Sequence, residues 1–372
     1  MTPIDPARYV MIGGFLGAGK TTAVARLARR LTDRGRKVGL ISNDQSTGLV
    51  DTAILRSKGF AVEEIAGGCF CCRFNSLLEA AEKLTQQTRP DVFVAEPVGS
   101  CTDLVATVSY PLRRIYGDRF TIAPLSVMID PSRAARILGL EQGRAFSEKV
   151  VYVYRKQLEE ADAIVVNKCD ALETPLRERL VGAIREAFPK AELFQASARE
   201  GSGLDAWFDF LMESEGRDST SLELDYDLYA EGEALLGWLN LTARLTSPAP
   251  FDGNQTLLRL ARDLRDRLDA AGHEIAHLKM TLDAQDAAGT LSVVSLVRND
   301  GEPDLRESLL DRVDGGSLIL NLRAEADPEF LKDAALAALD TIGVSSTLEH
   351  VECFRPARPV PVHRMAGRRR AP

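Results

Sequence analysis

Four short stretches of this 372-residue chain place reactive residue types at spacings that chemistry uses. The first, Gly14-Phe-Leu-Gly-Ala-Gly-Lys20-Thr21, fits the pattern G-x-x-x-x-G-K-[ST]. Its glycines let the backbone turn so that N–H groups face phosphate oxygens, and a helix beginning at Lys20 adds its positive end. Lys20 is placed to neutralise the β- and γ-phosphates, and the Thr21 hydroxyl to complete the shell of a Mg²⁺ ion. Gly14, Gly17, Ala18, Gly19, Lys20, Thr21 and Thr22 form the expected nucleotide-binding set for a purine nucleoside triphosphate.

The second stretch, Asn167-Lys168-Cys169-Asp170, follows an apolar run. A carboxylate there can accept from both N1 and N2 of guanine, a donor pair that adenine lacks. Lys168 can cover the base face while Asn167 ties loops together. Ser197 and Ala198, after the next apolar run, are placed to offer a backbone N–H to the guanine oxygen. These features favour GTP over ATP. The third stretch, Asp91-Val-Phe-Val-Ala-Glu96, ends in a carboxylate suited to holding Mg²⁺ through a water; capping the following Pro97-Val98-Gly99 loop is the alternative. Asp44 and Asp51 lie where a nucleotide-sensing loop belongs, either to position water or metal or as part of a solvated loop.

The fourth stretch, Gly67-Gly68-Cys69-Phe70-Cys71-Cys72, brings three sulfurs within four residues. Thiolates suit Zn²⁺ and related ions, and three of them leave one coordination position over. A buried apolar turn or a redox pair are the blander readings.

Elements must hold these stretches together. Strands are expected at 8–12, 37–42, 91–95, 121–129, 163–166 and 191–195, alternating with helices at 20–32, 75–88, 146–160, 176–187 and 204–212. That alternation implies an α/β domain with a mostly parallel sheet over residues 1–212. A polar linker at 213–226 leads to a smaller α+β domain at 227–355, whose helix repeats Leu257, Leu260, Leu264 and Leu268. A basic, proline-rich tail at 356–372, with Arg364, Arg368, Arg369 and Arg370, reads as solvated and poorly ordered. His273 and His277, at the start of a strand expected at 274–282, read as core or surface residues rather than as ligands. Trp207 and Trp238 read as packing residues.

Composition sets outer bounds. With 45% hydrophobic and 27% charged residues the chain is a folded globular protein, and a net charge of −8 argues against non-specific nucleic-acid or lipid binding. The first eight residues are too short and polar for a secretory signal, and no apolar run approaches the ~20 residues of a membrane helix. Six cysteines are too few for a disulfide scaffold, so a cytoplasmic location is expected.

In order and spacing, GFLGAGKTT, GGCFCC, the strand ending in Glu96 and NKCD resemble the CobW-type P-loop GTPases, cousins of the nickel-inserting accessory GTPases for urease and hydrogenase. The resemblance covers about residues 8–212. It implies a GTP-dependent metallochaperone in which Cys69, Cys71 and Cys72 bind Zn²⁺ or Co²⁺ for delivery to a client protein, with the second domain as client surface; a homodimer stays open. No arginine finger or glutamine is evident, so intrinsic hydrolysis is expected to be slow. The chain departs from the family in Asn43-Asp44, where Asn-Glu is usual, and in Pro97-Val98-Gly99-Ser100-Cys101 after the carboxylate. The rival readings are a regulatory GTPase with a structural metal, a small-molecule P-loop kinase, and a GTPase assisting a corrinoid-dependent enzyme.

Overall fold

The computed structural model describes residues 6–45, 50–217, 222–284 and 290–367. They form two compact units. The first takes in the described residues up to Gln45, then Ile54–Tyr229 and the segment from Pro359; the second takes in Val50–Ala53 and Ala230–Arg358. Part of the expected linker, 218–221, and of the expected sensing loop, 46–49, lie outside the described residues.

The first unit runs β1 (Ala7–Gly14), α1 (Lys20–Asp33), β2 (Val38–Asn43), α2 (Val50–Ser57), β3 (Val62–Ile65), α3 (Phe74–Thr88), β4 (Val92–Glu96), α4 (Tyr110–Ile115), β5 (Phe120–Ile122), β6 (Ser126–Ile129), α5 (Pro131–Ile137), α6 (Glu148–Glu159), β7 (Ala163–Val166), α7 (Thr174–Ala187), β8 (Glu192–Gln195) and α8 (Leu204–Glu213), with the start of α2 grouped with the second unit. The strand order is β3-β2-β4-β1-β6-β7-β8, with β5 also pairing β1, and every pairing is parallel. The central strands are apolar and buried end to end, as a sheet covered on both faces requires. The four chemical stretches therefore all emerge at C-terminal strand ends, the edge where α/β sheets bind ligands.

The single strand expected at 121–129 is two, because Pro124 cannot donate to a ladder. β1 pairs first with β5 and then, from Ile12, with β6. Helix α2, strand β3 and helices α4 and α5 had no expectation. β3 is four residues, Val-Glu-Glu-Ile, too short to show a period.

In the second unit α9 (Tyr226–Ala234) leads into β9 (Leu236–Phe251), α10 (Gly253–Ala270), β10 (Glu274–Asp283), β11 (Leu291–Leu296), β12 (Asp304–Glu307), β13 (Val313–Glu325), α11 (Pro328–Leu339) and β14 (Ser345–Phe354). The strands make one antiparallel sheet, β12-β11-β10-β13-β9-β14. Leu257, Leu260, Leu264 and Leu268 of α10 are completely buried in its core, each contributing about 1.5–3 kcal/mol. Asp252 caps α10 and Asp327 caps α11 through side-chain bonds to backbone N–H groups. His277 lies in β10, while the His273 ring bonds the Glu325 carbonyl and packs on Phe330. Trp238 is buried beneath the Arg323 guanidinium, and Trp207 is buried with its indole N–H on Ser126.

The tail differs from expectation. Residues 359–367 belong to the first unit and are fixed by specific bonds: Met365 N–H to Ala106 O (2.9 Å), Arg364 to Asp103 (2.7 Å) and Arg114 to the Ala366 carbonyl (2.7 Å). Arg364 finds a buried carboxylate, which a composition argument cannot anticipate. Arg368, Arg369 and Arg370 lie outside the described residues. No helix among the described residues is long and apolar enough to cross a membrane.

Candidate functional site

The phosphate loop joins β1 to α1. Gly14 has φ 130°, and a Cβ there would fall 2.2 Å from the Met128 carbonyl. Gly19 has φ 94°, with Asn167 Nδ2 at 2.4 Å from a Cβ position, so both sites require glycine. The Lys20 ammonium curls over the loop, donating to Gly14 O at 2.8 Å and Phe15 O at 3.4 Å. Thr21 Oγ1 donates to Glu96 Oε1 at 3.1 Å, and both side chains are buried. A hydroxyl and a carboxylate held together here are hard-oxygen groups of the kind that could hold a Mg²⁺ ion.

The second loop is tied to the first. Asn167 Nδ2 donates to Ala18 O (2.8 Å) and its Oδ1 accepts from Ala198 N–H (2.9 Å). The Ala198 N–H expected to face the base is therefore engaged: with its amide nitrogen on Ala18, Asn167 has an acceptor to satisfy. Ser197 closes its own turn, donating its N–H to Ser202 O and accepting from Glu200 N–H. Lys168, at φ 56°, donates to Gly17 O (2.8 Å) and to Asp130 (2.7 Å). Asp170 sits in a single helical turn, Cys169–Ala171, with its carboxylate exposed.

Two residues of this loop system went unmarked in the sequence. Burial opposes ionisation of Asp130, but Lys168 and Arg133 outweigh it and hold the carboxyl well below its usual range. Arg133 also donates to the Leu16 carbonyl and stacks over Phe15 and Phe146. The signal was present: Asp130-Pro131 after an apolar run is a helix start, with Asp130 accepting from Arg133 N–H.

The thiol loop precedes α3. Gly67 and Gly68 have φ 77° and 145°, and the turn is closed by N–H groups of Cys72 and Arg73 on Cys69 O. Sulfur separations are 2.6 Å for Cys69–Cys71, 3.2 Å for Cys69–Cys72 and 3.7 Å for Cys71–Cys72, a cluster able to hold a metal ion. Hydrogen bonds from Cys101, Cys71 and Cys72 outweigh burial and favour the thiolate at Cys69. Donating to Cys69 pushes the other two thiols up, Cys72 to about 11. The tail lies along this loop: Val360 N–H donates to Cys72 Sγ (3.2 Å), Val362 N–H to Cys71 O (2.9 Å), and the His363 ring packs edge-on against Phe74.

Asn43, at the end of β2, bridges two loops. Its amide donates to Ile65 O at 3.0 Å and to Gly68 O at 2.7 Å, immediately before Cys69. Asp44 bonds Ile65 O through its N–H and caps the N–H of Gln45 with its carboxylate. The Asp51 carboxylate pairs with Lys279, both residues belonging to the second unit.

The segment after Glu96 is buried and held by α6. Gln157 donates to Gly99 O (3.0 Å) and Cys101 O (2.8 Å), while Glu160 accepts from Thr102 Oγ1 (3.2 Å) and Val105 N–H (3.1 Å). Burial, and then the neighbouring Asp103 carboxylate, push Glu160 up to about 8. Asp103 itself is faced by Tyr226 and Arg364. Folded chains thus keep a proton that unfolded chains release above the usual glutamate range near 4.5. Stability is expected to fall as pH rises from about 5 to 8, by up to about 1.4 kcal/mol per pH unit. Urea midpoints at several pH values check this: Glu160→Gln should flatten the slope, and equal slopes in parent and variant would refute it.

Comparison with known proteins agrees with this geometry. Residues 8–195 match the family model described as CobW/HypB/UreG, nucleotide-binding domain. The zinc chaperone YeiR of Escherichia coli is 31% identical over 166 residues, 44% of this chain and 47% of that protein. The zinc chaperone CobW of Sinorhizobium sp is 28% identical over 185 residues, 44% of this chain and 51% of that protein. The chain thus spans about half the length of these curated relatives. The structure of Zn(II)-bound YjiA GTPase from E. coli aligns over 90% of this chain and 99% of that one, at 16% identity and a TM-score of 0.39. With phosphate loop, thiol loop and guanine-type loop on one parallel sheet edge, and with the family model matching 8–195, the chain belongs to the CobW/HypB/UreG family.

Proposed function

We propose that the chain is a GTP-hydrolysing metal carrier, in which nucleotide state sets how tightly a transition ion is held for a client protein. Lys20 and the backbone of Gly14–Gly19 hold the triphosphate, and Asp170 selects guanine. Thr21 and Glu96 hold Mg²⁺, which when bound offsets charge on the transferring phosphoryl group. Cys69, Cys71 and Cys72 hold the cargo, Zn²⁺ or Co²⁺, and the second unit is the surface offered to the client.

The observation that carries this reading is the Asn43 bridge. One amide, at the C-terminal end of β2, binds the carbonyls at both ends of the turn that leads into the cysteines. A shift there moves Gly68, and with it the Cys69 backbone. Linkage then requires metal to alter nucleotide affinity by the same factor.

The test is Zn²⁺ affinity in competition with a chelator, with Mg²⁺ and either GDP or a non-hydrolysable GTP analogue. A difference of about 5–150-fold is expected. It should collapse in Asn43→Ala, while each ligand alone still binds, and disappear with the ion in Cys71→Ser. Equal affinities in the parent would sink the switch and leave a static metal site.

A further inference from the structure

A phosphate loop lends its N–H groups to an anion, so its carbonyls must be held elsewhere. Three in succession are taken by side chains from outside the loop. Leu16 O accepts from the Arg133 guanidinium, Gly17 O from Lys168 Nζ (2.8 Å) and Ala18 O from Asn167 Nδ2 (2.8 Å). No peptide of the loop is cis, and a trans peptide points its C=O and N–H in opposite directions. Each of these bonds therefore turns one N–H, that of Gly17, Ala18 or Gly19, away from the side chain that holds the carbonyl.

Asn167 and Lys168 belong to the guanine-type loop, but Arg133 comes from α5 and from no recognised motif. It is buried, with its guanidinium carbon 5.3 Å from the centre of the Phe15 ring and 5.2 Å from that of Phe146. A planar guanidinium packs against rings while its N–H groups still donate in plane, which leaves the side chain little freedom to swing away. Asp130, also buried, accepts from the Arg133 backbone N–H (3.0 Å) and from Lys168 Nζ (2.7 Å). One carboxylate thus anchors two of the three side chains that hold the loop carbonyls.

We infer that Arg133 is a positioning residue for the nucleotide phosphates, with Asp130 as its anchor, an inference that rests on the reading of this loop as the GTP site. Arg133 acts through the Leu16–Gly17 peptide. With the Leu16 carbonyl held, the Gly17 N–H is fixed before the nucleotide arrives, and no reorientation is needed on binding. Without Arg133 that peptide can rotate and turn a carbonyl toward the phosphates, replacing an attraction by a repulsion.

Titration of the full chain with fluorescent GDP and Mg²⁺ tests this through the sign of two substitutions. Arg133→Met removes a positive charge, whereas Asp130→Asn removes a negative one and still offers an oxygen to cap α5. If Arg133 acted only as a charge near the phosphates, the two would shift affinity in opposite directions. Positioning requires both to weaken GDP, Arg133→Met by about tenfold or more, the size of a lost charge-assisted hydrogen bond. The preference for GDP over inosine diphosphate, which lacks the 2-amino group, should stay as in the parent, because the base is met by another loop. Urea midpoints establish that each variant is folded, and if Arg133→Met is not, the direction of the Asp130→Asn shift decides alone. Parent affinity in a folded Arg133→Met chain, tighter binding by Asp130→Asn, or a changed base preference overturns the inference and leaves the GTP site standing. Failure of the parent to bind GDP overturns both.

Discussion

An Asp170→Asn variant is expected to lose guanine nucleotides and to gain xanthine nucleotides. The Asp170 carboxylate stands exposed on the turn after β7, while the residues around it are committed elsewhere: Asn167 to the phosphate loop, Lys168 to Gly17 and Asp130. On the function proposed above, base choice falls on one acceptor pair. Changing it to an amide replaces an acceptor with a donor, which meets the guanine 2-amino group donor to donor. Xanthine carries an oxygen at that position and restores the match. A site built for one hydrogen-bonding pattern rejects the wrong one strongly, so the loss for GTP should be about 100-fold or more. Competition of GTP and XTP for a fluorescent nucleotide reads it directly. Undiminished GTP affinity in the variant would remove Asp170 from the base site.

The second large effect is at Lys20. Its ammonium lies over the loop within bonding distance of two carbonyls, a preformed positive charge where β- and γ-phosphates would sit. Lys20→Ala is expected to slow GTP hydrolysis about 100–1,000-fold, the usual cost of removing one preorganised charge-stabilising donor. Phosphate release at saturating GTP measures the rate, and nucleotide titration separates it from lost binding. A variant that turns over at the parent rate would place the chemistry elsewhere. Because Lys20 also clamps Gly14 and Phe15, some loss of loop order in the nucleotide-free chain should accompany the effect.

What the sequence made legible was what depends on local rules. The phosphate loop is a contiguous pattern with required glycines, and Gly14 and Gly19 adopt the backbone that demands them. The α10 leucines follow helical spacing, and all four are buried as that spacing implies. Asn167 ties loops together as its place in the motif suggested. Contacts between segments far apart in the chain were not legible. Cys101 looked scattered because the residue that clamps its carbonyl, Gln157, lies far down the chain in α6. The bond from the Ala198 N–H to Asn167 likewise joins segments far apart in the chain. The pairing of Asp51 with Lys279 was not visible, because Lys279 lies far down the chain. The tail looked free because prolines and arginines carry no period, while its fixation comes from single partners, above all Asp103. Asp103 is itself a non-glycine residue at φ 62°, a backbone position that sequence does not announce.

The tail's return has a topological consequence. The chain leaves the first unit after Tyr229 and re-enters it at Pro359, so the second unit, apart from Val50–Ala53, is an insertion within the first. The segment that bonds Cys71 and Cys72 is kept near them by a tether whose span is set by the folded state of everything between. While the insert is folded, the pairing of Trp238 with Phe354 keeps its two ends side by side, and the local concentration of the tail at the cysteine loop is high. Should the insert loosen, the same residues hang on a long flexible loop, whose closure grows costlier with its length. Covering the thiols is thus thermodynamically tied to the integrity of a fold that contributes no sulfur to them.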